Sequence, residues 1–255
     1  MIQYKKLCDW EINRDLFGQF IRRQVVEKCY RWEKDHWEIR QDPFIDDWSE
    51  EDYQVLIRCL KNTVSTGGLV QGAFCDGVLK GFASVEAEFL DEERRYLDLT
   101  SLHVSADARR TGMGRRLFFT AAQWAGENGA EKLYISAHSA VESQAFYRSI
   151  GCVDALWRCQ RHVEQEPCDC QLEYVISMPE GKPHPETAGV KGKPHPETAG
   201  VKGKPQPEAS GVKEESLPEA AAPDGRSVSR ILEGCVASVE SGAYTHLTLP
   251  TTSRV

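Results

Sequence analysis

Arg109-Arg-Thr-Gly112-Met-Gly114-Arg-Arg stands between a strand-like run, Tyr96–Val104, and a helix-like run over 113–128. A strand, a short basic loop with glycines and a helix start make a site for a phosphate-bearing ligand. The first backbone N–H groups of a helix have no partner within it, and the helix dipole favours negative charge there. Gly112 and Gly114 let that backbone approach a ligand closely. Arg109, Arg110, Arg115 and Arg116 add positive charge.

Proton transfer would need other groups. Tyr147 sits in Gln144-Ala-Phe-Tyr147-Arg-Ser-Ile-Gly151, where Phe146 and Ile150 can fill the core and leave Tyr147 to face a cleft. Carboxylates lie upstream. Strand alternation places Asp98, Thr100, Leu102 and Val104 on one face, and Glu86 and Glu88 share a face of the preceding strand. His103 points the other way unless a bulge re-aims it. A chain of water molecules with no single base also fits these residues.

These groups must be positioned by a mixed α/β framework. Leu16, Phe17, Phe20, Ile21 and Val25 form a helical stripe that predicts a helix over 15–29. A second helix begins at Ser49, with Asp52 in the capping-box position, carries Tyr53, Leu56, Ile57 and Leu60, and stops before Gly67-Gly68. Trp32, Trp37, Pro43, Phe44 and Trp48 fall in the connection between the two. Leu69–Cys75 and 79–90 read as strands joined at Asp76-Gly77, a strong hairpin signal. Tyr96–Val104 is the next strand, and Gly129 caps the helix that follows it. Lys132–Ala137, a helix over 141–150 closed by Gly151, and strands over 152–157 and 170–178 complete the pattern. The predicted order is α α β β β α β α β β around one central sheet.

Composition narrows the function further. A formal net charge of −8 over 255 residues argues against nonspecific nucleic-acid binding. Nine scattered cysteines and no signal peptide read as free thiols in a cytoplasmic protein. Cys168-Asp-Cys170 has the wrong spacing for zinc, so no metal is expected, and no apolar run is long enough to span a membrane. Residues 1–179 hold the apolar content for one core. Residues 180–243 carry GKPHPETAGVK twice and GKPQPEASGVK once, a composition expected to be disordered. Residues 244–255, with Tyr244-Thr-His-Leu-Thr-Leu-Pro-Thr-Thr, resemble a translated sequencing-library adapter.

Arg109-Arg-Thr-Gly112-Met-Gly114 fits the pattern Q/R-x-x-G-x-G/A, and 143–152 fits A-x-x-F/L-Y-x-x-x-G-F with Ser143 and Cys152 replacing alanine and phenylalanine. With the strand ending at Val104 and the buried strand Lys132–Ala137, residues 1–178 resemble the GNAT superfamily of acetyl-CoA-dependent N-acetyltransferases, of bacterial type. The resemblance implies a mixed, mostly antiparallel sheet, splayed between its fourth and fifth strands and flanked by about four helices. Those two strands would be Tyr96–Val104 and Lys132–Ala137, with 2–7 as the first. It implies that Leu102, His103 and Val104 bind acetyl-CoA, the co-substrate, through backbone groups. Arg109, Arg110, Thr111, Gly112, Met113, Gly114 and Arg115 would hold its pyrophosphate, with Ser143 and Tyr147 alongside.

Tyr147 would be the general acid for the leaving thiolate. Asp98 falls where some members place a catalytic glutamate, with Glu86 and Glu88 as alternatives. The acceptor implied is an amine, of a small cationic molecule or of a peptide. Asp42, Asp46, Asp47, Glu50, Glu51 and Asp52 fall near the segment that would border the acceptor: as a lining they would favour a cationic amine, and as a capped, solvated helix start they would serve the fold alone; a pocket closed by Trp32, Trp37 and Trp48 would favour a small acceptor. An acyl-CoA-binding module without turnover is the non-enzymatic alternative. The assembly implied is a monomer or homodimer, with no nucleic-acid or membrane partner.

Overall fold

The computed structural model describes residues 1–34 and 36–177; the repeat segment and 244–255 lie outside them. The strands are β1 (Ile2–Lys6), β2 (Arg23–Glu33), β3 (His36–Asp47), β4 (Leu69–Cys75), β5 (Val78–Phe89), β6 (Tyr96–Val104), β7 (Lys132–Ala137), β8 (Val153–Asp154) and β9 (Cys170–Val175). The helices are α1 (Glu50–Ser65), α2 (Met113–Glu127), α3 (Val141–Ser149) and α4 (Gln160–Gln165). Seven strands form one sheet in the order β1-β4-β5-β6-β7-β9-β8, and β2 and β3 form a separate two-stranded sheet.

Every neighbouring pair in the large sheet is antiparallel except β6 and β7. That parallel pair runs only from Tyr96↔Lys132 to Asp98↔Tyr134. Past Asp98 the two strands part, so the sheet opens toward Val104 and Ala137. One sheet face buries Ala83, Val85, Leu97 and Leu99 against Leu117, Phe118 and Ala121 of α2. The other buries Val70, Leu79 and Phe82 against Leu56 and Leu60 of α1.

Local signals explain most boundaries. Ser49 Oγ accepts from the Asp52 N–H and the Asp52 carboxylate accepts from the Ser49 N–H, so α1 starts on a reciprocal cap. Asp76 and Gly77 both have positive φ, 49° and 83°, as a tight two-residue hairpin requires. Gly129 (φ 92°) and Gly151 (φ 99°) turn the chain out of α2 and α3.

The segment 15–48 overturns the predicted helix and connection. Only a 3-10 turn, Asp15–Phe17, is helical, and the chain then forms the β2–β3 hairpin. The apolar stripe breaks up, because its Ile21 and Val25 are exposed and residues outside it take their place. Phe17 and Phe20 enter the core beneath α1, while Val26 and Cys29 face Phe44 and Ala140. Paired β-branched residues such as Val25-Val26 fit a strand better than a helix, and 36–47 supplies the partner. Trp32 and Trp37 close the far end as a cross-strand pair with centroids 5.3 Å apart. The hairpin is anchored to the body where the Tyr30 N–H and the Arg31 guanidinium donate to Ser139, at 2.8 and 2.7 Å. Further on, the strand predicted over 152–157 shortens to Val153–Asp154, the last strand stops at Val175, and α4 was unforeseen.

Candidate active site

The opening between β6 and β7 is a cleft of about 690 Å³. Leu102, His103, Val104, Arg109, Arg110, Gly112, Met113, Gly114, Arg115, Ser143 and Tyr147 all line it. Thr111 is the exception among the expected cofactor positions, because its hydroxyl turns back to donate to the Ala108 carbonyl at 2.8 Å.

The loop is shaped by backbone conformation. Arg110 has φ 66° and Gly112 φ 83°, so the chain enters α2 through two left-handed residues. The conformation at Arg110 is one that glycine adopts without steric cost. Gly112 is the N-cap, and the N–H groups of the first turn lack helical partners and point into the loop. That is a fit for a pyrophosphate. Arg109 does a different job: its guanidinium donates to the carbonyls of Val104 (3.3 Å) and Arg23 (2.9 Å), tying the end of β6 to the start of the hairpin.

The two glycines should respond differently to alanine. A Cβ on Gly114 would meet Phe146 and Val104 at 3.5 Å, ordinary contact, whereas Gly112 has open space but a left-handed φ. Gly114→Ala is therefore expected to be neutral or stabilising by up to ~1 kcal/mol in urea unfolding. Gly112→Ala is expected to cost about 1–2 kcal/mol. Equal effects would show that the left-handed turn is not the constraint.

A bulge settles the faces of β6. Ser84 pairs with Ser101 but Val85 pairs with Leu99, so Thr100 is an extra residue on β6. Leu102 and Val104 therefore share the α2 face with Leu97 and Leu99. His103 faces the α1 side, against Trp48 (4.8 Å) and Phe82 (5.2 Å). The simple alternation that put Asp98 on the face of Leu102 fails at this bulge.

None of the three candidate carboxylates lines the cleft. Asp98 is fully buried, 2.7 Å from His162 Nε2 on α4. Glu86 is buried and accepts from Thr63 Oγ1 at 2.6 Å, and Glu88 is exposed near the end of β5. The acidic run of 42–52 is also turned away. Asp42 pairs with Arg31, Asp46 with Arg22, Asp47 with Arg23 and Glu50 with Arg14, while Asp52 caps α1. No tryptophan lines the cleft.

Tyr147 stands on the α2–α3 side, its ring against Phe146 and Phe118. Burial, then Cys152 and the Asp169 carboxylate, push its phenol well above the ordinary value. The cleft is also lined by residues that the sequence did not single out: Arg22, Gln24, His138, Glu166 and Asp169. His138 could have been noticed one residue beyond Lys132–Ala137, facing the open end. Arg22 carried no signal, because its segment read as helix. Burial, followed by Arg22, Arg109 and His138, holds His103 well below the usual imidazole range and therefore neutral at pH 7.

Three solved structures are similar to this chain. A putative streptothricin acetyltransferase from Bacillus anthracis, in complex with acetyl coenzyme A, is 14% identical with a TM-score of 0.50, over 70% of this chain and 99% of its own. Nourseothricin acetyltransferase is 16% identical with a TM-score of 0.49, over 69% of this chain and 99% of its own. The ribosomal-protein-S18-alanine N-acetyltransferase from Escherichia coli is 14% identical with a TM-score of 0.43, over 72% of this chain and 99% of its own. No curated protein matches the sequence. Residues 30–152 match the model of the acetyltransferase (GNAT) family, and the helix-N-terminal loop and the split between β6 and β7 fall inside that span: this segment is a GNAT acetyltransferase domain.

Proposed function

We propose that the protein transfers the acetyl group of acetyl-CoA to the primary amine of a small, cationic acceptor by direct attack. One observation carries this reading: the glycine loop at the start of α2, the strand end at Leu102 and Val104, and Tyr147 line a single cleft where the sheet divides. The loop N–H groups hold the pyrophosphate. The parted edge of β6 offers backbone groups to the pantetheine arm and aims the thioester. The amine nitrogen forms a bond to the carbonyl carbon, the C–S bond breaks, and the thiolate takes a proton from the Tyr147 hydroxyl. The proton released by nitrogen leaves through cleft water and restores the phenol.

The hairpin supports a small acceptor, because its first strand and Arg22 wall the cleft on the side away from α2. Glu142, Glu166 and Asp169 on the cleft wall support a cationic one. The test is CoA-thiol release from acetyl-CoA against polyamines, amino acids, aminoglycosides and peptides. Turnover with small amines is expected. Tight acetyl-CoA binding with no thiol release would point to a binding module, and release with peptides alone would point to a protein acceptor.

A further inference from the structure

The bulge at Thr100 aims a histidine into the side of the cleft away from α2. Unbroken alternation from Leu97 and Leu99 would turn His103 toward α2, and the extra residue sends it to the opposite face. Trp48 and Phe82 hold the ring there, with centroids 4.8 and 5.2 Å away. His103 lines the cleft and is only partly buried. Neither of its ring nitrogens has a hydrogen-bond partner among the described residues. Neither belongs to the polar atoms that the fold seals from solvent, as His162 Nδ1 does. A neutral imidazole has one nitrogen free to accept a proton, and here that nitrogen is open to the cleft.

The groups facing the ring keep it in the form that accepts. Arg22, paired with Asp46, stands at the foot of the hairpin, Arg109 in the loop before α2, and His138 just past β7. Trp48 and Phe82 bring no charge. Burial and these neighbours keep the imidazole neutral at pH 7. The same cations disfavour the ammonium form of an amine beside them. A general base must reach the proton it removes, directly or through one water, and Asp98, Glu86 and Glu88 do not line the cleft. Tyr147 packs on the α2 face of the parted sheet, opposite His103. Its phenol is pushed up while the imidazole is pushed down, and groups driven apart in this way divide the roles of acid and base.

We propose that His103 is the general base, its ring taking the proton of the attacking amine directly or through one cleft water. The inference rests on the acetyl-transfer reading and names the group that first receives the proton in it. The N–C bond forms on the hairpin side and the C–S bond breaks. The nitrogen's proton passes to the imidazole and the Tyr147 proton to the thiolate. The imidazolium, beside Arg22 and Arg109, then releases its proton to cleft water, which restores the phenol.

The experiment measures thiol release by the full chain at saturating acetyl-CoA, with spermidine, lysine, kanamycin and a lysine-containing peptide as acceptors. Wild type is compared with His103→Gln and His103→Ala. Glutamine keeps a side chain against Trp48 and Phe82 but cannot carry the proton. His103→Gln is expected to lower kcat by about 10²-fold or more, with acetyl-CoA affinity unchanged. Added imidazole should restore part of the turnover of His103→Ala, which a ring that only packs the cleft would not allow. Wild-type kcat should hold at neutral pH and fall in acid, below the ordinary imidazole range, as the ring takes up a proton. A kcat for His103→Gln within about threefold of wild type would overturn the inference, whatever happens to KM. Weaker acetyl-CoA binding in both variants with no rescue by imidazole would assign the ring to the cofactor's wall and overturn it too. A wild-type kcat that stays level in acid until the protein unfolds would overturn it without any variant. Acetyl-CoA binding with no thiol release from any amine would instead overturn the transfer reading, and the inference with it.

Discussion

Tyr147→Phe is expected to lower kcat by about 10²–10⁴-fold, the usual worth of a positioned general acid. Acetyl-CoA affinity should be nearly unchanged. The substitution removes one oxygen and keeps the ring, so the contacts with Phe118 and Phe146 survive. The distinction matters because a residue that only packs the cleft would change affinity or stability instead of turnover. A loss confined to kcat marks an interaction made only in the transition state. Thiol release under saturating acetyl-CoA, with affinity measured by titration, separates the two. An unchanged kcat would remove Tyr147 from the proton path.

The raised phenol adds a pH signature. The folded protein holds the proton more tightly than an unfolded chain, so the donor form persists throughout the neutral and moderately alkaline range. Activity should therefore show no fall attributable to phenol ionisation near pH ~10, the ordinary value. The same shift makes a stability contribution that is fully present below that value and is lost as pH rises through the higher folded one. In Tyr147→Phe that alkaline loss should be absent.

What was legible in the sequence was whatever depended on near neighbours. The loop from Arg109 to Gly114 needs a strand before it, a left-handed backbone within it and a helix after it, and each leaves a local mark. Tyr96–Val104 and Lys132–Ala137 were bounded correctly because turns with Gly or charged residues flank them. The failures all turned on distant partners. The stripe Leu16, Phe17, Phe20, Ile21, Val25 has helical spacing, yet Phe17 and Phe20 enter the core while Ile21 and Val25 are exposed once 36–47 pairs with 23–33. The run of carboxylates from Asp42 to Asp52 looks like an acidic lining until Arg14, Arg22, Arg23 and Arg31 arrive from elsewhere in the chain. One extra residue at Thr100 reversed the face of everything before it on β6. Sequence periodicity reports which residues share a face only while the ladder is unbroken.

Asp98 is where that reversal has the largest consequence. Asp98→Ala is expected to destabilise the fold by about 3–5 kcal/mol, because it strips one member from a fully buried, hydrogen-bonded polar pair. Asp98 and His162 are both completely buried, Asp98 Oδ2 lies 2.7 Å from His162 Nε2, and Asp98 Oδ1 and His162 Nδ1 have no partners among the described residues. Tyr134 stacks on the His162 ring at 5.5 Å. The pair thus fastens α4 behind β6 at the last paired rung of β6 and β7, Asp98↔Tyr134. Without the carboxylate, His162 keeps a ring with neither nitrogen paired in a dry site. Asp98→Asn retains an acceptor for the Nε2–H and should recover most of the loss. Urea unfolding of the two variants measures this directly. The kinetic expectation follows from the same geometry: a base must reach the proton it removes, and Asp98 does not line the cleft. At a temperature where it remains folded, Asp98→Asn should keep kcat within roughly tenfold of wild type, well short of the loss expected for a general base. A thousandfold fall in kcat with stability intact would return Asp98 to the reaction and make its contact with His162 part of the proton path.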